Sequence, residues 1–571
     1  MRGIFRELWR YRWRLLAGVL ALFVVDALQL IAPLIVRNAV NDLVAGTGAG
    51  LVRYALYLTA IAVVVFGFRF VWRILLFGAG RLIERDMRNR LYAHLLTLSP
   101  AYYVEHSTGD LMAHATNDLE AVRRSCSMGV LMASDAMIMI SFSLAAMVGI
   151  APLLTLYAFI PLPFITVAVM GFGKLIHRRF ERAQAAFSAL TERVREALSG
   201  IRLLRAFARE EGIAGAFAQT NRENVDANLS LTRAWGVFEP MVGLLAGLGT
   251  AIVLWFGGRG VLGGTLSLGG LVAFTSYLGM MVWPMMAIGW IVNTLQQGAA
   301  SMKRLDKIFA ERPEITSPER AVPLPPSRRI EFQNLTFAYP GTDRPALRDV
   351  NLTVEEGMTL GIVGLTGSGK STLVRLLPRL YDPPPGAVLL GGVDIRQLEL
   401  DALRAQIAMA PQDVFLFSAS LRENIAYGRP EATDDEIWEA ARLAGIAEEI
   451  ATFPDGLDTL VGERGVTLSG GQRQRVGIAR AILLDAPILV LDDVLSSVDA
   501  QVEEAILGHL RDVLARRTAI VVSHRITAVR DADHIIVLDG GRIVEEGDHA
   551  HLVRRGGLYA RLNELQQALV R

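Results

Sequence analysis

The stretch that decides the fold of this chain is Gly364-Leu365-Thr366-Gly367-Ser368-Gly369-Lys370-Ser371-Thr372. It follows an apolar run, residues 359–363, that predicts a short buried strand, and it leads into residues 373–377, whose pattern predicts a helix. A strand, a glycine-rich loop and a helix in this order are typical of a phosphate-binding loop. The glycines let successive N–H groups and the positive end of the helix dipole point at phosphate oxygens.

Lys370 and Ser371 give this loop its expected chemistry. The lysine would reach the terminal phosphates of a nucleotide, and the serine hydroxyl would ligate Mg²⁺. The only other lysines are Lys174, Lys303 and Lys307, although the chain has 58 lysines and arginines in total. A compact ammonium is therefore kept where a phosphate needs a point charge rather than a planar fork. An ordinary helix-capping turn, the alternative interpretation, does not require this lysine.

The composition indicates a membrane protein with more than one domain. The chain has 571 residues, 52% of them hydrophobic, which is too long for one ordinary core and too apolar for an ordinary soluble protein. A net charge of +1 gives no indication of nucleic-acid binding. Cys126 is the only cysteine, which excludes intrachain disulfides and cysteine-based metal clusters.

Apolar runs predict an α-helical polytopic membrane domain over residues 1–305. The arginine-rich residues 1–14 place the N-terminus in the cytosol, because positive charge is retained on that side. Each run supplies the roughly 20 residues that a helix needs to cross a bilayer. The six predicted spans are residues 15–36, 55–80, 128–150, 152–173, 237–258 and 266–292.

Two long connections, residues 81–127 and 174–236, are charged and have a helical pattern. They predict cytosolic extensions that reach roughly 30 to 40 Å from the membrane and back. We expect short helices at their tips, near residues 107–112 and 205–211, to dock on a nucleotide-binding domain. Solvated hairpins without a partner are the alternative.

Three charged residues, Asp26, Arg69 and Asp135, fall inside predicted spans. A charge in a membrane helix faces a bundle interior or a wet cavity and marks a pathway, or it belongs to a structural ion pair. The sequence leaves both interpretations open.

A proline-rich linker, residues 306–328, leads into a predicted α/β nucleotide-binding domain over residues 329–571. Tyr339 could stack on an adenine base, and Gln412 could reach Mg²⁺ or the attacking water. Asp492 ends a buried strand, as the carboxylate that holds Mg²⁺ in such sites does. His524 ends another strand and could contact the γ-phosphate.

A second phosphate-seeking helix end is predicted at Leu468-Ser469-Gly470-Gly471-Gln472, which precedes an evident helix. Two such helix ends in one domain seldom serve the same nucleotide.

The order of these motifs resembles the ATP-binding cassette family. The resemblance rests on Tyr339, residues 364–372, Gln412, residues 468–472, Asp492, Ser496-Ser497-Val498-Asp499 and His524. The run Val461-Gly462-Glu463-Arg464-Gly465 resembles the exporter branch specifically.

The resemblance implies a half-transporter: six spans fused to one cassette, working as a dimer that encloses ATP and Mg²⁺. Each ATP would lie between the phosphate loop of one subunit and the signature motif of the other. The residues that would face the partner's ATP are Ser469, Gly470, Gly471, Gln472 and Asp499.

One position departs from the family pattern. The family has a glutamate directly after the Mg²⁺-binding aspartate, and this chain has Asp493. The shorter carboxylate is withdrawn by about 1 Å, which can cost about a hundredfold in rate. We therefore expect a slow site in this chain and a heterodimer whose partner supplies the catalytic glutamate. A homodimer that tolerates aspartate is the alternative.

The expected function is ATP-driven export of an amphipathic drug, lipid or peptide across the cell (inner) membrane, with the cassette in the cytosol. The partners are a second subunit, the lipid bilayer and the transported molecule, with no nucleic acid. An ATP-gated channel or regulator, an importer and a soluble ATPase are the competing interpretations. The predicted spans disfavour the soluble ATPase.

Overall fold

The computed structural model describes residues 2–47, 50–462, 468–495 and 500–570. The chain divides into two compact units. One unit comprises Met1–Leu96 and Thr108–Glu311, and the other comprises Thr97–Ser107 and Arg312–Arg571. The first is helical, and the second holds all the described strands.

The first unit consists mainly of long helices, and two short π-helical turns interrupt one of its helical segments, Thr108–Ile150. The π-helical turns are His114–Asp118 and Ser125–Gly129. The α-helices are α1 (Arg2–Arg10), α2 (Arg12–Val44), α3 (Leu51–Leu95), then, after α4 (Pro100–Glu105) of the other unit, α5 (Thr108–Ala113), α6 (Leu119–Arg124), α7 (Val130–Ile150), α8 (Pro152–Phe159), α9 (Leu162–Ser199), α10 (Ile201–Ala206), α11 (Glu210–Leu262) and α12 (Leu268–Ala310).

Among the described residues, five helical segments are long and apolar enough to cross a membrane. They are Arg12–Val44, Leu51–Leu95, Thr108–Ile150, Glu210–Leu262 and Leu268–Ala310. The remaining predicted span, residues 152–173, falls on α8 and the first part of α9, which are separated at Ile160 and Pro161. A proline has no N–H to donate to the preceding turn, so α8 ends before it.

The first and last membrane helices are fastened together at two levels. Tyr277 in α12 donates its hydroxyl to the Leu30 carbonyl of α2 at 2.6 Å. Near the start of α12, Gly269 donates its N–H to Asn41 Oδ1 at 3.0 Å. A Cβ on Gly269 would lie 2.1 Å from the Arg37 carbonyl oxygen, so only glycine allows this approach.

The charges predicted inside the spans form one cluster. Asp26 on α2 is buried, and it interacts electrostatically with Asp135 on α7 and with Arg69 on α3. Asp26 Oδ2 has no hydrogen-bond partner among the described residues. The cluster therefore brings two carboxylates and one guanidinium within electrostatic range of one another, and one oxygen of the buried Asp26 has no hydrogen-bond partner among the described residues.

The part of the first long connection that groups with the second unit lies upstream of the predicted docking tip. The short helix α4 and its flanks, Thr97–Ser107, belong to the same compact unit as residues 312–571. Within that unit Ser99 Oγ donates to Glu314 Oε2 at 3.3 Å. Residues 108–112, which are predicted to dock, lie in the first unit and begin the helical segment Thr108–Ile150 through α5. Their docking stays a prediction. Pro100 begins α4, a position where proline is favoured because its missing N–H is not needed there.

The second unit is built on two sheets. The larger has the strand order β10-β9-β3-β8-β7-β6 and the smaller β2-β1-β4-β5. The strands are β1 (Ile330–Phe337), β2 (Leu347–Val354), β3 (Thr359–Gly364), β4 (Val388–Leu390), β5 (Val393–Asp394), β6 (Ile407–Ala410), β7 (Ile488–Asp492), β8 (Thr518–Val522), β9 (His534–Asp539) and β10 (Arg542–Gly547).

Strands β9, β3, β8, β7 and β6 run parallel, so their carboxyl ends meet at one edge of the sheet. The helices of this unit after α4 are α13 (Lys370–Arg375), α14 (Leu400–Arg404), α15 (Leu421–Ile425), α16 (Asp434–Leu443), α17 (Ala447–Thr452), α18 (Gly470–Leu483), α19 (Ala500–Ala515), α20 (His549–Arg555) and α21 (Leu558–Val570).

The central strands are buried on both faces, as their continuous apolar sequence predicts. A helical membrane unit joined to an α/β unit is the predicted fold class, which is confirmed.

Candidate functional site

The glycine-rich loop connects β3 to α13, as predicted. Gly367 and Gly369 have φ angles of 81° and 102°, in the region that favours glycine. A Cβ on Gly369 would also lie 2.8 Å from the Ala346 carbonyl oxygen. Lys370 Nζ donates to the carbonyls of Gly364 at 2.8 Å and Leu365 at 3.0 Å. The ammonium therefore lies folded across the loop that it is predicted to serve.

Ser371 and Asp492 join the loop to the end of β7. The Ser371 hydroxyl donates to Asp492 Oδ1 at 2.8 Å. Asp492 is completely buried, and its Oδ2 has no hydrogen-bond partner among the described residues. A serine hydroxyl beside an unsatisfied carboxylate oxygen is an oxygen donor set that suits Mg²⁺. The residues present therefore fit the ion that the sequence predicts.

Burial governs the ionisation of this pair of charges. Burial raises the pKa of Asp492, against the hydrogen bond from Ser371 and the nearby positive charge of Arg375. Burial also lowers the pKa of Lys370, while the carboxylates of Asp493 and Asp492 act in the opposite direction. A divalent cation bound at Asp492 would favour the ionised carboxylate and so counteract the effect of burial.

Asp493, the residue that departs from the family pattern, follows directly after β7. Its backbone has a φ of 51°, a conformation that aspartate tolerates better than most residues. Its N–H donates to the Val522 carbonyl at 2.9 Å, which ties it to the end of β8. His524 Nδ1 donates to Asp493 Oδ1 at 2.8 Å. The structure thus pairs two predicted catalytic residues directly.

Gln412 lies at the same sheet edge, two residues after β6. Strand β6 pairs in parallel with β7, with Ala410 opposite Leu491, so Gln412 follows the strand next to Asp492. Its side chain is exposed. The loop, Asp492, His524 and Gln412 are therefore brought to the ends of neighbouring strands.

Tyr339 contacts the phosphate loop through its hydroxyl. Tyr339 OH and Thr372 Oγ1 lie 3.0 Å apart. Its ring meets the Tyr381 ring edge-on, with centroids 5.0 Å apart, and the Phe337 ring at 5.3 Å. Sequence reasoning did not identify Tyr381, because no motif predicts which aromatic side chain packs against the ring of Tyr339.

The helix at the second predicted phosphate site also forms as predicted. Its first residues differ in what they bond, which the sequence did not show. Ser469 caps α18: its Oγ accepts from the Gln472 N–H at 3.2 Å, and its own N–H donates to Gln472 Oε1 at 2.8 Å. Gln472 Nε2 then donates to Glu449 Oε2 at 2.7 Å. The Gln472 side chain therefore bonds residues of its own chain. Ser469, Gly470 and Gly471 form the part of the helix N-terminus that could face a phosphate.

Two predicted elements lie outside the described residues. Asp499, with the rest of residues 496–499, is one of them. The other is residues 463–465, the greater part of the run that resembles the exporter branch.

Two family models match the chain. One, described as ABC transporter transmembrane region, matches residues 15–285. The other, described as ABC transporter, matches residues 347–496. The matches fall on the helical unit and on the unit that carries the phosphate loop.

Curated relatives extend this likeness to nearly the whole length. The probable multidrug resistance ABC transporter ATP-binding/permease protein YheI of Bacillus subtilis is 40% identical over 560 residues, 98% of this chain and 96% of that protein. The multidrug resistance-like ATP-binding protein MdlA of Escherichia coli is 39% identical over 566 residues, with the same coverage. An ATP-dependent lipid A-core flippase of Syntrophus aciditrophicus is 35% identical over 559 residues, 97% of this chain and 92% of that protein.

A solved structure shares the architecture. The structure of a bacterial Atm1-family ABC exporter with ATP bound superposes with a TM-score of 0.80 and 28% sequence identity, covering 97% of this chain and 98% of the other.

Proposed function

Because this chain belongs to the ABC transporter family, we propose that it is one half of a dimeric exporter that uses ATP to move an amphipathic molecule out across the cell membrane. Its relatives are named as multidrug resistance proteins and as a lipid A-core flippase, which supports a drug or a lipid as the cargo. A peptide of similar amphipathic character also suits such a pathway. The cassette and the N-terminus would lie in the cytosol, where ATP is available.

The observation that carries the proposal is the meeting of predicted nucleotide residues at one sheet edge. Lys370 would release its two loop carbonyls and bind the terminal phosphates. Ser371 and Asp492 would hold Mg²⁺, joined by Gln412 from the neighbouring strand end. When bound, Mg²⁺ would neutralise phosphate charge and orient the phosphates. Tyr339 would stack on the adenine from its position beside Thr372.

Asp493 and His524 would act on the γ-phosphate side of the site. The catalytic carboxylate must hold the water that attacks the phosphate, and the Asp493 side chain is one methylene shorter than glutamate. Its oxygen is also held by His524. We propose that this chain binds ATP and hydrolyses it slowly. The partner in a heterodimer would carry the glutamate, and a homodimer remains the alternative.

The signature helix end would serve the partner's nucleotide. Ser469, Gly470 and Gly471 form a capped helix N-terminus, a good phosphate site. Asp499 is proposed to face the same nucleotide. This chain would then complete an active site on its partner while its own site works slowly.

In the proposed cycle, ATP closes the two cassettes because it binds the closed state more tightly than the open one. The motion would pass to the membrane helices through α4, which belongs to the cassette's compact unit, and through the tip near residues 205–211. Closure would open the helices outward and release cargo. Hydrolysis at the partner-type site would then reset the inward-open form.

The decisive experiment is purification of the chain from its native membrane with whatever associates with it, followed by reconstitution in proteoliposomes. We expect a second, glutamate-bearing half-transporter and ATP-driven accumulation of a fluorescent amphiphile. Lys370→Ala should abolish ATP binding at this chain's site, while Lys307→Ala, an exposed lysine outside the cassette, should not. Ion conductance without uphill transport would indicate a channel instead.

A further inference from the structure

His524 lies in a segment that is held by residues outside every motif identified above. We call residues 523–528 the switch segment; it runs from the end of β8 through a short 3₁₀ turn, Ile526–Ala528. Ile526 is buried in the core, and the Arg525 N–H donates to Ser523 Oγ at 3.0 Å. The segment is therefore anchored at its middle, while the His524 side chain is directed to Asp493.

Gln566, on the C-terminal helix α21, makes two hydrogen bonds to the switch segment. Its Nε2 donates to the His524 carbonyl at 2.7 Å, and its Oε1 accepts from the Ile526 N–H at 2.8 Å. One side-chain amide thus satisfies a backbone acceptor and a backbone donor on either side of Arg525. A glutamine fits this task because its amide offers both a donor and an acceptor.

Glu503, in the first turn of α19, holds the segment from the other side. Its carboxylate is buried; it accepts from Arg525 Nη1 through one oxygen and from Thr527 Oγ1 at 3.1 Å through the other. Charge-assisted hydrogen bonds of this kind are roughly twice as strong as neutral ones. In the sequence, Glu503 follows Asp499, which is proposed to face the partner's nucleotide, by four residues.

We infer that Glu503 and Gln566 are positioning residues that hold the His524 backbone so that its imidazole reaches the γ-phosphate. The inference rests on the proposed role of His524 in ATP binding. Within the described part of the chain, the hydrogen bonds of both side chains go to Arg525, Thr527 and the backbone of His524 and Ile526, so each would act through the switch segment. Helix α21 would then help to position the residue that contacts the γ-phosphate, in addition to packing against the core.

The test compares ATP with ADP, because only ATP has the phosphate that His524 would contact. Gln566→Ala should lower the preference of this chain's site for ATP over ADP by about three- to tenfold, the effect of losing one or two hydrogen bonds. ADP affinity should change little, and the melting temperature should fall modestly because two hydrogen bonds are lost. A purely structural role would weaken the binding of both nucleotides together.

The neighbouring Gln567 supplies the matched control. It is exposed and, within the described part of the chain, its side chain bonds Asn563 of its own helix, so Gln567→Ala should leave the ATP preference unchanged. Glu503→Gln, which keeps the shape and one acceptor, should have a smaller effect than Glu503→Ala.

A double-mutant cycle with His524→Ala identifies the route of the effect. If Gln566 acts through His524, Gln566→Ala should have no further effect on the ATP preference in the His524→Ala background. Additive losses would overturn the inference. If His524→Ala itself leaves the preference unchanged, the assigned role of His524 fails and the positioning role falls with it. If His524→Ala lowers the preference and Gln566→Ala does not, the positioning role alone fails.

Discussion

His524 Nδ1 lies 2.8 Å from Asp493 Oδ1, so the imidazole and the shortened carboxylate at the site form a direct pair. The pair arises because β7 and β8 are parallel neighbours, with Asp492 opposite Val522, and each residue of the pair follows its strand end. One carboxylate oxygen is thereby turned toward the histidine. A glutamate could contact the same histidine and still extend further toward the attacking water.

We expect Asp493→Glu to raise ATP hydrolysis at this chain's own site by about ten- to a hundredfold, because an error of about 1 Å in placing a catalytic group has a cost of that order. The measurement is phosphate release in lipid nanodiscs, by the assembled dimer for Asp493→Glu and by this chain expressed alone for the homodimer alternative. Asp493→Asn, which keeps the length and loses the charge, should stay at or below the unmodified rate. Robust turnover by the unmodified chain, increased only slightly by the glutamate, would argue for a homodimer.

The sequence predicted at which strand and helix ends the candidate nucleotide residues lie, because buried strands and helix starts have recognisable local patterns. The apolar runs before Gly364, Asp493 and His524 predict parallel strands, and parallel strands bring their carboxyl ends together whatever the intervening sequence. Local patterns and one topological rule were therefore enough to predict the arrangement.

The sequence did not locate residues whose role depends on a distant contact. Gln566 and Gln567 are identical neighbours on one helix, and only the fold decides which of them meets the switch segment. Tyr381 supports Tyr339 from a loop with no motif. The grouping of residues 97–107 with the second unit was not predicted, because a charged helical pattern continues on both sides of α4 and only tertiary contacts assign these residues to that unit.

A second prediction concerns the Mg²⁺ ligand. Burial raises the pKa of Asp492, so a proton competes with Mg²⁺ for its carboxylate at higher pH than at an ordinary aspartate. We expect the Mg²⁺-dependent part of the ATP affinity to fade as the pH falls through that raised pKa. Asp492→Asn should remove this part at every pH and leave the Mg²⁺-free affinity largely intact. Titration with a fluorescent ATP analogue, with Mg²⁺ or with EDTA, measures both.

Thermal unfolding of the nucleotide-free protein supplies the control for this prediction. A raised folded-state pKa means that ionised Asp492 destabilises the empty fold at neutral pH, and that the penalty is relieved as the pH falls through that pKa. Asp492→Asn should therefore keep or raise the melting temperature. Ser371→Ala should lower it, because the hydroxyl that now bonds Asp492 Oδ1 is lost. A lower melting temperature for both variants would contradict the assigned burial penalty.

A third prediction uses the only cysteine as a reporter. Cys126 is fully buried in a cluster with Ile83, Met87, Leu119 and Met302. Its thiol should react with a water-soluble maleimide at least about a hundredfold more slowly than an exposed thiol, because labelling requires local unfolding. A cysteine placed at the exposed Ser188, in a Cys126→Ala background, gives the comparison. Rapid labelling of native Cys126, followed by mass spectrometry, would show that this cluster opens.

The last prediction separates the structural and functional roles of Ser469. Two exposed helix starts carry the same capping box: Ser469 with Gln472 at α18, and Thr433 with Glu436 at α16. Replacing either cap by alanine should cost about 1 kcal/mol of stability, because one backbone donor loses its acceptor. Only Ser469→Ala should reduce ATP hydrolysis by the assembled dimer, since only this helix end is proposed to meet a nucleotide.

The loss should appear at the partner's site, so ATP bound at Lys370 of the same chain should be retained. Labelling each site with a photoreactive ATP distinguishes them. Equal losses for Ser469→Ala and Thr433→Ala would mean that the cap serves the fold alone, and hydrolysis lost only at this chain's own site would mean that the two halves of each pocket do not come from different subunits.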